Sequence, residues 1–192
     1  MKVGVLGLQG DVREHVRALD AVGATPSVVK RTDQLAEVDA LVLPGGESTT
    51  IGKLLDRYEL IAPLRERVAR GMPLYGTCAG AILMAADIAG AHDAPHRLAV
   101  LDICVRRNGY GRQLDSFEAD LDIDGLDGAF RAVFIRAPIV ESCGDGVEVL
   151  AEVDGHPVLV RQGRLLASTF HPEMTPDARV HDMFVNEIAT ER

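Results

Sequence analysis

The chain has 192 residues, 47% hydrophobic and 26% charged, enough for one well-buried domain and short for two. Its formal charge of −9 and pI near 5.1 argue against a phosphate-binding footprint, which needs a basic patch, so no nucleic-acid partner is expected. No apolar stretch reaches membrane-spanning length, the apolar segment after Met1-Lys2 is too short for a signal peptide, and Cys78, Cys104 and Cys143 form no CxxC pair. These features predict a cytoplasmic protein with reduced thiols and no membrane partner, and with neither a disulfide framework nor a metal site.

Through the first half, strand-like and helix-like segments alternate as a parallel sheet with crossover helices requires. Residues 3–8 read as the first strand, 11–22 as a helix with Val12, Val16 and Leu19 at helical spacing, and 25–30 as the second strand. A third strand over 40–44 ends in Gly45-Gly46-Glu47-Ser48-Thr49-Thr50, where Ser48 or Thr49 is suited to cap a helix running to Leu60. A further helix is predicted over 63–70, and Met72-Pro73-Leu74-Tyr75 reads as a buried strand leading to a turn at Cys78 and a buried helix over 81–86. From Leu98 to Ala167 the segments shorten. Hairpin punctuation at Asn108-Gly109, Asp124-Gly125, Asp154-Gly155 and Gln162-Gly163 predicts antiparallel strands added to the parallel core. A strand over 165–170 delivers His171, and a last helix over 177–189 closes one domain spanning 1–192.

Two runs far apart in the chain, Gly76-Thr77-Cys78-Ala79-Gly80 and His171-Pro172-Glu173, carry the chemistry. Cys78 sits on a strand-to-helix turn whose flanking glycines permit a sharp reversal, and a helix N-terminus favours the thiolate through its unpaired N–H donors. On an extended chain alternate residues share a face, so His171 and Glu173 can lie together. A carboxylate on Nδ1–H fixes the imidazole tautomer and leaves Nε2 to take the thiol proton. Such a Cys78–His171–Glu173 triad suits acyl transfer from a carboxamide, with the Ala79 N–H and a glycine N–H of the Gly45-Gly46 loop as oxyanion donors.

These motifs, with Leu43-Pro44-Gly45-Gly46-Glu47-Ser48 after a strand, resemble those of class I, triad-type glutamine amidotransferases. Gly7-Leu8-Gln9-Gly10 with Arg13-Glu14-His15, and Gly111-Arg112-Gln113 with Asp115-Ser116-Phe117-Glu118, are similar within that group to the glutaminase subunits of two-subunit pyridoxal 5'-phosphate synthases. The resemblance runs nearly end to end. It implies a flavodoxin-like three-layer α/β/α fold with a mostly parallel central sheet and added antiparallel strands in the second half. It also implies hydrolysis of L-glutamine and transfer of the ammonia to a synthase subunit in a large hetero-oligomer, with no cofactor. Cys78, His171 and Glu173 map onto the triad, Gly46 and Ala79 onto the oxyanion hole, and Gly46, Glu47, Ser48, Arg107, Ile135 and Arg136 onto the glutamine contacts. Arg106 adjoins Arg107, and strand neighbours face opposite ways; Arg107 is the residue chosen. A glutaminase acting alone wastes glutamine, so the Gly45-Gly46 loop is expected to be set for oxyanion binding only when the partner docks.

Two rival functions follow from the same residues: a glutaminase serving another synthase, such as one of histidine biosynthesis, or a non-catalytic protein of the same cysteine-elbow fold. Other apparent motifs fail. Five residues separate Gly46 from Gly52 and Leu54 stands where a phosphate loop needs Ser or Thr, while Gly4, Gly7 and Gly10 miss the dinucleotide spacing. His92 and His96 have metal-like separation, but Pro95 between them breaks the helix that would align them.

Overall fold

A computed structural model describes residues 1–91, 95–107, 109 and 116–191. Its central sheet has seven strands in the order β10-β11-β12-β4-β3-β1-β2. Five of them, β1 (Lys2–Leu6), β2 (Thr25–Val29), β3 (Ala40–Leu43), β4 (Leu74–Thr77) and β12 (Leu165–Ser168), run parallel. At one edge β11 (His156–Gln162) and β10 (Glu148–Val153) add antiparallel to β12 through turns at Asp154-Gly155 and Gln162-Gly163, as the sequence predicts.

The two-residue alternation of the strands creates two cores. Leu6, Leu41, Leu43 and Leu74 face α3 (Ser48–Arg57), α4 (Ile61–Ala69) and α5 (Ala79–Met84). Val3, Val5, Val42 and Tyr75 face α1 (Val12–Ala21) and the C-terminal helical segment. Helices on both faces of a mostly parallel sheet make the flavodoxin-like three-layer arrangement. Two smaller sheets cover its margins: β5-β6-β9, from Ala85–Ile88, Leu101–Arg106 and Ile139–Cys143, and the antiparallel pair β7-β8, from Ser116–Leu121 and Phe130–Ile135.

Several boundaries differ from the sequence reading, each for a local reason. A short helix α2 (Thr32–Ala36) precedes β3 and was not foreseen. Glu47, rather than Ser48 or Thr49, caps α3, its carboxylate accepting from the Thr49 and Thr50 amides. That helix ends at Arg57, and α4 begins at Ile61, two residues before Pro63, which sits in the first turn. The helix expected to reach residue 86 stops at Met84, because the amides of Leu98, Ala99 and Val100 take the Leu83 and Met84 carbonyls and Ala85 opens β5. Strand β12 stops at Ser168: the Thr169 amide still follows the β11 register onto the Val158 carbonyl, and the His171 amide then leaves for the Val133 carbonyl. The closing helix is α6 (Arg179–Asp182) followed by a π turn (Met183–Glu187) and a 3-10 turn (Ile188–Thr190), with Val180, Phe184 and Ile188 all buried. Asn108, His92 and the Gly111-Arg112-Gln113 run with Asp115 lie outside the described residues.

The reversal at Cys78 also differs in its mechanics. Cys78 itself carries the unusual backbone, φ 47° and ψ −98°, which costs a non-glycine residue about 1–3 kcal/mol. The glycines serve close approach instead: a Cβ on Gly80 would lie 2.2 Å from the Leu43 carbonyl oxygen, and one on Gly76 would lie 2.6 Å from the Gly80 backbone. Gly80→Ala is therefore expected to push α5 off β3, costing about 2 kcal/mol and lowering Tm by about 6 °C. An unchanged melting curve would contradict this packing.

Candidate functional site

The parallel pairing of β4 with β12, with Thr77 opposite Ser168, places the chain segments that follow both strands at the same end of the sheet. The Cys78 amide donates to the Ser168 carbonyl at 2.8 Å, tying the turn to β12, and three residues later the chain reaches His171. His171 and Cys78 thereby line the same cavity, close enough for the sulfur to raise the imidazole. The thiol also lies 3.9 Å from the Ile135 carbonyl oxygen.

His171 Nδ1 donates to Glu173 Oε1 at 2.8 Å. The route differs from the extended spacer predicted from sequence: Pro172–Met174 form a 3-10 turn, with His171 at its N-terminus, and the turn folds the carboxylate back beneath the imidazole. Both side chains are buried. Burial opposes a charge on His171, but hydrogen bonds to Cys78 and Glu173 and the charges of those groups outweigh it, raising the imidazole to about 10. Burial lifts Glu173 above the ordinary carboxylate range, against the lowering effect of His171. Asp11 approaches the same ring, with Oδ2 3.6 Å from Nδ1, and is also raised by burial.

Cys78 and His171 open onto a cavity of about 450 Å³. Its wall includes Gly46, Glu47, Ser48, Arg107, Ile135 and Arg136, so every residue predicted to contact glutamine lies on one surface with the thiol. Arg107 Nη1 reaches Thr49 Oγ1 at 3.4 Å, whereas Arg106 is turned away and ion-paired with Glu141. Arg136 is held at φ 45°, a second strained residue on the same wall. Glu47 is not free: its carboxylate accepts from Thr49 and Thr50, which hold it below the usual range although burial works against them. Ala79 opens α5 directly after Cys78, so its N–H is among the first-turn donors with no intrahelical partner.

Gln9 and Asp11 also line the cavity, and neither was predicted as a site residue. The sequence marked Gly7-Leu8-Gln9-Gly10 only as a run shared with the glutaminase subunits that it resembles. Gln9 Oε1 accepts the Glu47 amide at 2.9 Å and lies where a Cβ on Gly46 would come, 2.5 Å away; the Gly46 φ of 146° is one that L side chains rarely adopt. Asp11, His171 and Glu173 are the three described residues whose ligand atoms converge, all within 4.8 Å. A cation there would take the Nδ1 and Oε1 atoms whose hydrogen bond orients the imidazole.

The model of the SNO glutamine amidotransferase family matches residues 5–190. The chain belongs to that family. It is 58% identical over 191 residues to the pyridoxal 5'-phosphate synthase subunit PdxT of Parafrankia sp., covering 99% of this chain and 94% of the relative. It is 56% identical over 189 residues to the protein of the same name from Kosmotoga olearia, covering 98% of each. A crystal structure of a glutamine amidotransferase superposes with a TM-score of 0.93 at 52% identity, over 98% of this chain and 99% of that one. A putative GMP synthase subunit from Thermoplasma acidophilum, at 18% identity and a TM-score of 0.68, shares the fold.

The raised groups predict a pH dependence of stability. A group whose folded value is raised contributes stability that is fully present below its unfolded value and lost as pH rises through the folded one; for His171 that window runs from about 6.5 to about 10. Glu173→Gln removes one of the two partners that raise His171. The melting temperature of the wild-type chain is expected to fall more steeply across this window than that of Glu173→Gln. Parallel curves would contradict the pairing.

Proposed function

We propose that this chain is the glutaminase subunit of a two-subunit pyridoxal 5'-phosphate synthase, hydrolysing L-glutamine to L-glutamate and ammonia and delivering the ammonia to the synthase subunit of a hetero-oligomer. The observation that carries the reading is the meeting of a strained-turn cysteine with a carboxylate-held imidazole at a cavity whose wall also bears Arg107 and Arg136. Family membership and relatives named as PdxT subunits support the choice of substrate and partner. The reaction is a C–N hydrolysis of a carboxamide, coupled to a lyase-type synthase, and needs no cofactor. We treat residues 1–192 as one glutaminase domain acting in the cytoplasm; the three free cysteines are consistent with a reducing compartment, and among the described residues no helix is long and apolar enough to cross a membrane.

The chemistry follows from the site. With His171 raised toward its protonated form, the Cys78 proton rests on Nε2, and the thiolate attacks the side-chain carboxamide carbon. The oxyanion forms against backbone donors, with Ala79 and Gly46 in that role. His171 returns the proton to the departing nitrogen as the C–N bond breaks, leaving a γ-glutamyl thioester and ammonia. Water, deprotonated by His171, then cleaves the thioester and restores the thiol. Glu173 keeps Nδ1–H in place throughout. Arg107 and Arg136 supply the donors that a free amino acid's carboxylate needs, and Glu47 is the carboxylate on the wall that suits its ammonium.

Partner dependence fits the Gly45-Gly46 loop. Gly46 holds a backbone conformation that glycine alone adopts readily, and the neighbouring Glu47 amide is taken by Gln9 rather than left for substrate. A modest rearrangement on docking would reset the loop.

Mixing the purified chain with candidate synthase subunits and following glutamate release tests the reading. Strong stimulation by the pyridoxal 5'-phosphate synthase subunit alone is expected, and Cys78→Ala should lose at least about 10³-fold in kcat. Stimulation by a histidine-pathway synthase instead would favour the first rival. Unchanged behaviour of Cys78→Ala would favour a non-catalytic protein.

A further inference from the structure

Behind the proposed triad lies a second pair of histidines that its chemistry does not use. His15, on the inner face of α1, and His181, on α6, are both fully buried and come from opposite ends of the chain. His15 Nδ1 lies 3.0 Å from His181 Nε2. His15 Nε2 lies 3.1 Å from Thr77 Oγ1 and 3.5 Å from Glu173 Oε1, the oxygen that His171 contacts. Burial holds both rings neutral, His15 far below its ordinary value and His181 at about 4, with His15 further lowered by the charges of His181 and His171. The Tyr75 and His181 rings meet in a T-shaped contact, with centroids 5.9 Å apart.

One atom fixes where the protons sit. His181 Nδ1 is buried and has no hydrogen-bonding partner among the described residues. If His15 carried its proton on Nδ1 and donated to His181, His181 Nδ1 would have to be an N–H with nothing to bind, the costlier kind of orphan. With the opposite arrangement Nδ1 is only an unused lone pair. His181 Nε2–H then donates to His15 Nδ1, and His15 Nε2–H points toward Thr77 and Glu173.

We infer that His15 is a positioning residue of the glutaminase site: its Nε2–H, oriented by His181, is shared between Thr77, the residue preceding the nucleophile, and the Glu173 oxygen that His171 also contacts, and so steadies that carboxylate. The inference rests on the proposed triad. Glu173 needs this support, because its Oε2 is buried with no partner among the described residues, so contacts on Oε1 alone hold the carboxylate. A neutral ring is the suitable donor. It offers an N–H without bringing a second cation next to His171. Removing it leaves a buried carboxylate more easily protonated, and a protonated Glu173 no longer holds the imidazole.

The test has two arms. In the wild-type chain, alone and with the synthase subunit, ¹⁵N NMR of the histidine rings should show His15 and His181 neutral near neutral pH, each protonated on Nε2. A proton on Nδ1 of His15 overturns the inference however any variant behaves. In the complex, His15→Leu should lower kcat for glutamine at least about tenfold with KM little changed and move the acid limb of the pH profile upward. His15→Gln, which keeps an N–H near the Nε2 position, should recover most of that loss. A wild-type pH profile in His15→Leu, or a loss in His15→Gln as large as that of Glu173→Gln, overturns the inference, and the His15→Gln result decides it if His15→Leu does not fold. Absence of glutamine turnover in the wild-type complex would instead sink the proposed function and leave the NMR arm to judge the proton arrangement by itself.

Discussion

The site depends on one strand pairing, the parallel alignment of β4 with β12 that sets Thr77 opposite Ser168. The two strands are almost ninety residues apart in sequence, and each ends where its chain leaves the sheet at the same edge. That edge is the carboxyl end of a parallel sheet, where open α/β folds place their ligands. Sliding the pairing by one residue would invert Tyr75 and Leu166 between the two cores, so burial of those side chains holds the register that brings a sulfur and an imidazole together. The pocket is a by-product of core packing as much as of any contact within it.

Around that junction strain and burial are concentrated, and both are offset by hydrogen bonds. Cys78 and Arg136 hold backbone conformations that L-residues avoid, and they flank one cavity. Glu173 is buried with one oxygen unpaired among the described residues, while the other is approached by two histidines. Low local polarity strengthens each of these contacts and raises the cost of losing any one. The layers behind the site therefore matter: α1 supplies His15, the C-terminal segment supplies His181, and β8 anchors His171 through its amide.

Much of this was legible in the sequence, for physical reasons. Period-two alternation and apolar runs located the parallel strands to within two residues, because both sheet faces are covered and every strand must satisfy two cores. The glycine-flanked cysteine and the His-Pro-Glu run were visible because the chemistry needs those residue types at those spacings. What escaped depended on tertiary partners. The end of α5 is set by amides from residues 98–100, and the fold-back of Glu173 is a 3-10 turn that alternation cannot foresee. Likewise Gln9, Asp11 and the His15–His181 pair acquire meaning only when α1 packs beside the end of β4; in sequence, Arg13-Glu14-His15 marks a motif without saying which side chain turns inward.

The central claim is that His171 activates the Cys78 sulfur within the cavity. Mapping by mass spectrometry the adduct formed with a chloroketone analogue of glutamine, in the presence of the synthase subunit, tests it most directly. The account predicts a single adduct on Cys78, protected by glutamine and formed far more slowly in His171→Asn. Labelling of Cys104 or Cys143 instead, or an undiminished rate on Cys78 in His171→Asn, would contradict it.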